Sequence, residues 1–197
     1  PKADAEFARA GFDLPGAHRQ YGTPVKLGQG MARAYVVLDG RAGQAPLELG
    51  IALDARALEG LSPTEASMLK VPLPAQAPAP YRFAMLDWNP AGHEPPGVYD
   101  TPHFDFHFYT IPLEARNAIV PDDPEWAAKA ERLPGEDQVP PHNVVLAPPD
   151  MGPSQVAVPM MGLHWVDTRS PELQAIFGNP DGYQPFTATF IHGSWDG

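Results

Sequence analysis

His103, Asp105, His107 and Tyr109 occupy every second position of the segment PHFDFHFY, and Phe104, Phe106 and Phe108 fill the positions between them. Imidazole and carboxylate are the side chains that bind transition metals and move protons near neutral pH. Successive side chains of a β-strand point to opposite faces, so this segment reads as one strand with an ionisable face and an aromatic face. The phenylalanine face is expected to be the more buried, against an apolar core, while the other lines a polar pocket.

Spacing limits what the ionisable face can do. Residues two apart on one strand face are ~6.7 Å apart at Cα and can converge on one ion, whereas residues four apart, ~13 Å, cannot do so without a bulge. His103 and His107 are therefore not expected to share one ion in a regular strand. Asp105 between them either joins a site or accepts a proton from a ligating imidazole and fixes its tautomer. A further ligand must come from another element. His164 in GLHWVD is the first choice, because Gly162 permits close backbone approach and Asp167 lies nearby, and His192 in FIHGSW is the next. An antiparallel neighbour carrying His164 would bring it within ~5 Å of His103 or His107 at Cβ. The expected metal set is thus His103, Asp105, His107 and His164, with at least two of these histidines facing one cavity. His93 and Glu94, in the loop NPAGHEPPG, would cover the site, and with Tyr109 would contact a bound cofactor or small ligand. The alternative is purely structural: a polar ladder of cross-strand pairs on a half-solvated face. His18 and His142 adjoin loop-like sequence and read as surface residues.

The elements that position these residues are short, because 26 prolines and 18 glycines break the chain. ARAYVVLD (32–39) and LELGIALD (47–54) form a hairpin pattern, and YRFAMLDW (81–88) precedes the histidine strand. HNVVLAP, VAVPMMGLHWVD and FTATFIHGSW add strands. Short helices are expected over 55–61 and 63–69, the second capped by Ser62, and over 124–133 and 170–178. Without regular alternation of strand and helix, the expected class is mainly β (α+β): an antiparallel sheet or barrel-like domain with two or three short helices. Residues 1–30 read as an extended arm and 31–197 as a single β-rich domain lacking a final C-terminal strand.

Composition narrows the function. The chain carries 24 acidic and 13 basic residues, a net charge of −11, with no Lys/Arg-rich run, which disfavours nucleic acid and favours a cation as guest. There is no cysteine, so a metal site must be built from His, carboxylate and water. No apolar run approaches the ~20 residues of a membrane span. GxSxG, P-loop, GxGxxG, HExxH and EF-hand patterns are absent, leaving hydrolase, nucleotide and calcium readings without local support.

The run LDWNPAGHEPPGVYDTPHFDFHFY, with MGLHWVD and FIHGSWDG, resembles a family of uncharacterised bacterial proteins, the DUF5602 or TTHB-like group. That resemblance implies a β-rich, homo-oligomeric, exported domain, periplasmic or secreted, with recurrent positions at His93, Glu94, His103, Asp105, His107, His164 and Trp165, and a further strand beyond Gly197. Three functional classes are compatible with these residues. The first is a protein that binds a metal or small ligand in a histidine-rich pocket, with zinc as the leading transition metal and copper or iron as alternatives. The second is an enzyme whose His-bound metal activates water or an oxygen-containing substrate, with Asp105 or Glu94 moving the proton. The third is a structural homo-oligomer without metal.

Overall fold

The computed structural model describes residues 16–40 and 45–197. The first fifteen residues of the expected arm lie outside this set. The described residues hold ten strands in three antiparallel sheets, with three short α-helices and no closed barrel, which is the mainly β class expected from the sequence. The chain divides into two compact units, residues 1–93 with 100–112, and residues 94–99 with 113–197.

In the first unit, β1 (His18–Tyr21), β2 (Val25–Leu27), β3 (Gly30–Leu38) and β4 (Pro46–Leu53) form one sheet, with β3 central. β1 and β2 fall in the segment that the sequence assigns to the arm, yet both pair along β3. A second sheet holds β5 (Ser67–Val71), β6 (Phe83–Asn89) and β7 (His103–Tyr109), in that order. Ala32 and Ala34 of β3 pack with Val71, Ala84 and Leu86 of the second sheet in one buried cluster. Alanine at these facing positions lets the two sheets approach, and Ile51, Leu53, Leu69, Phe104 and Phe108 close the margins.

The opposite face of the first sheet is organised by Tyr35, which directly faces Gly50 across the β3–β4 ladder. A Cβ on residue 50 would lie 2.6 Å from the Tyr35 ring, so glycine makes room for the ring to lie across the strand. Arg19 stacks on that ring, and the phenol donates a hydrogen bond to Glu48.

Segment 63–69 departs from its expected helix. Ser62 Oγ does accept the backbone N–H groups of Thr64 and Glu65, but the turn is not propagated, and β5 begins at Ser67. Pairing of five residues with β6 outweighs a local helix that would be barely two turns long.

In the second unit, β8 (Asn143–Val145), β9 (Leu163–Asp167) and β10 (Ile191–Ser194) form a sheet with β9 central. Val98, Tyr99, Val166 and Leu173 are its buried core. The α-helices are α1 (Leu113–Asn117), α2 (Trp126–Ala130) and α3 (Pro153–Val156). α2 lies within the expected helix 124–133, whereas segment 170–178 shortens to a single 3-10 turn, Pro171–Leu173.

Candidate metal centre

β6 and β7 pair without a register shift, placing Asn89 opposite His103, Asp87 opposite Asp105, Met85 opposite His107 and Phe83 opposite Tyr109. The ionisable face of β7 therefore continues onto β6 through Asp87 and Asn89. Pro90 ends β6 because it has no N–H for the ladder. A turn comes next, in which Gly92 donates its N–H to the Asn89 carbonyl and adopts a positive φ of 71°. That reversal delivers His93 back over the polar face of β7.

Two histidines meet one carboxylate there. His93 Nε2 lies 3.2 Å from Asp105 Oδ2, and His103 Nε2 lies 3.5 Å from Asp105 Oδ1. The ligand atoms of His93, His103 and Asp105 all fall within 4.8 Å of one another, and the two imidazoles meet edge to face at 4.8 Å between centroids. Metal bonds of about 2.0–2.2 Å at tetrahedral angles set neighbouring ligand atoms about 3.3–3.5 Å apart, close to the two histidine–carboxylate distances. The group could hold a metal.

The tautomer of His103 sharpens the chemistry. Its Nδ1 lies 2.7 Å from the Thr101 carbonyl oxygen, which can only accept, so Nδ1 carries a proton. In the neutral ring Nε2 then presents a lone pair, and that lone pair faces a carboxylate oxygen. A cation between these two atoms, 3.5 Å apart, would engage both. Asn89 Nδ2 donates to Asp105 Oδ2 at 2.7 Å and fixes the carboxylate, as outer partners of metal ligands do. Burial pushes the Asp105 carboxyl up, but the hydrogen bond with His93 and the charges of His93, His103 and His107 outweigh it. The group is held below the ordinary carboxylate range.

The remaining sequence candidates take other places. His107 turns to Asp87, with Nε2 3.1 Å from Oδ2, so the regular strand separates it from the His93 and His103 pair, as the spacing required. Tyr109 stacks on Phe83 at 4.8 Å between ring centroids and flanks His107 at 6.0 Å. His164 lies on β9, which pairs with β8 and β10, so the expected pairing of its strand with β7 is not formed. Gly162 does make a close approach, but to the Ser194 carbonyl. Glu94 is exposed and belongs to the second unit. His93, assigned a covering role by sequence, stands within the group that could hold a metal. Asp87, the carboxylate partner of His107, is absent from the candidates that the sequence pattern supplies. Its signal lies in YRFAMLDW, where it is the lone acid, following the apolar run Phe83 to Leu86.

The aromatic face is not uniformly core. Phe104 and Phe108 pack on the buried cluster, but Phe106 is 47% exposed, whereas the side chain of His103 is only 9% exposed. Phe106 pairs across the ladder with Leu86. The expectation that the phenylalanines are the more buried set is therefore corrected. Turn and ladder contacts cover the polar face, while the aromatic stripe is covered only at its two ends.

The second unit carries an open groove of about 630 Å³ lined by residues that include His142, Asp167, Arg169, Thr189 and Phe190. Within it, Arg169 pairs with Asp167 at 2.7 Å. Comparison with protein-family models, curated proteins and solved structures found no match.

Proposed function

We propose that this protein is a metal-binding β-protein whose ion is held by His93, His103 and the carboxylate of Asp105. The observation that carries this reading is the Nε2 lone pair of His103 facing Asp105 while Nδ1 is committed to the Thr101 carbonyl. A cation in that position engages the nitrogen and the carboxylate together. With nitrogen and oxygen donors and no thiolate, zinc suits the set first, and copper or iron next. Metal analysis of protein purified without a histidine tag tests the reading. Bound metal that is lost in His103→Ala and retained in His142→Ala supports it, and protein that takes up no transition metal sinks it.

A second reading, an enzyme in which the ion activates water or an oxygen-containing substrate, draws support from the 40% exposure of the His93 side chain. Three protein ligands with one solvent-facing side leave room for a bound water, the arrangement of catalytic rather than closed structural zinc. Here Asp105 serves as a ligand, so the proton acceptor would have to be another group. Hydrolytic screening of the zinc-loaded protein separates the two readings.

Homo-oligomerisation, implied by the family resemblance, belongs to the same proposal. Light scattering that finds a monomer at micromolar concentration removes it.

A further inference from the structure

Asp87 is 6% exposed, and only one of its two carboxylate oxygens is satisfied. Oδ2 lies 3.1 Å from His107 Nε2, whereas Oδ1 is buried with no hydrogen-bond partner among the described residues. A buried, half-satisfied carboxylate is costly, and such atoms in folded proteins point to a missing proton, water or ion. The burden is greater here because Asp87 sits directly opposite Asp105 in the ladder, where directly paired residues have Cβ atoms about 4.5–5.5 Å apart. Like charges in that position repel.

The geometry points to a second cation position in this protein, formed by Asp87 and His107 on the same sheet face as the first. The inference rests on the metal reading of His93, His103 and Asp105 and deepens it into a two-ion centre. The His107 to Asp87 distance is close to the edge of a coordination tetrahedron, as are the two distances at the first position. A hydrogen bond has the same length, so spacing alone does not discriminate. The unpartnered Oδ1 favours the ion, because a hydrogen bond from His107 engages Oδ2 alone, whereas a carboxylate can hold an ion through both of its oxygens. One imidazole nitrogen and one carboxylate suit a divalent ion of borderline hardness. The second position thus takes a divalent cation of the zinc or manganese class.

The test is the zinc stoichiometry of the untagged full chain, read by calorimetric titration and by metal analysis after dialysis. Two ions per chain in the wild type, falling to one in both Asp87→Asn and His107→Gln, is the expected result. One ion in the wild type overturns the second position and leaves the first intact. Two ions in all three proteins also overturns it, because the second ion then lies elsewhere. No ion at all overturns both readings. Circular dichroism on each variant guards against loss of fold, and His107→Asn, a shorter neutral replacement, provides a second variant at that position.

Discussion

His103 donates its Nδ1–H to the carbonyl oxygen of Thr101 at 2.7 Å, and this one contact decides which nitrogen of the ring is offered to a ligand. Nitrogen-detected NMR of the metal-free protein near neutral pH should find His103 as the Nδ1–H tautomer. Zinc should then perturb its Nε2 signal far more than Nδ1. A His103 found as the Nε2–H tautomer would remove the lone pair from the site. Outer partners of metal ligands already cost roughly 10- to 100-fold in affinity when lost, so His103→Ala should weaken zinc binding by more than that.

Acid stability should depend on Asp105. Its carboxyl is held below the ordinary value in the folded protein, so the stabilisation is fully present above the unfolded-state value near ~4. It is lost as pH falls through the lower folded-state value. Urea midpoints of metal-free wild type and Asp105→Asn, compared from about pH 6 downwards, should converge as the wild type loses this contribution. Parallel midpoints over the whole range would show that Asp105 gains nothing from its histidines.

The aromatic stripe should be energetically uneven. Phe104 packs on the buried cluster and tilts against Trp88 at 4.8 Å between ring centroids, while Phe106 is 47% exposed. Phe104→Ala should cost about 2–3 kcal/mol, somewhat under the ~3–5 kcal/mol of a fully enclosed phenylalanine. Phe106→Ala should cost less than about 1 kcal/mol. Denaturant unfolding of the two variants measures the difference, and equal losses would contradict the packing described.

One tyrosine should titrate late. Burial pushes the Tyr35 phenol up to about 12, aided by its hydrogen bond to Glu48 and the charge of that carboxylate. Because the folded value is raised above the unfolded value near ~10, the associated stability is intact below ~10 and is lost as pH climbs towards 12. Ultraviolet titration should show a late phenolate that is absent from Tyr35→Phe. Gly50→Ala, which drives a methyl group into the Tyr35 ring, should destabilise the protein by about 1–3 kcal/mol.

Alternation makes β7 legible from the sequence, because a strict two-residue period admits only one secondary structure, and the same period separates His103 from His107. The partner of that strand is legible too, since YRFAMLDW is apolar and adjacent in the chain. The placement of His93 is not. It depends on Gly92 taking a positive φ after Pro90, a geometry that a Pro/Gly-rich loop permits but does not specify. The pairing of the His164 strand with β8 and β10 is not legible either, because strand order has no signature in local pattern. Segment 63–69 shows the same limit in reverse. Its capping serine, proline and acidic residue describe a helix start, and the capping contact forms, yet long-range pairing with β6 turns the chain into a strand from Ser67 onward.

β7 closes its sheet on one side, with β6 as its ladder partner among the described residues. An outermost strand of alternating phenylalanine is the kind of segment on which further chains assemble through the backbone. Ionisable groups at every second position oppose that stacking, because each added copy would bring like charges into line. The residues assigned to the ion thus also work against aggregation. A lineage that gave up the metal would still be under pressure to retain polar side chains at His103, Asp105 and His107.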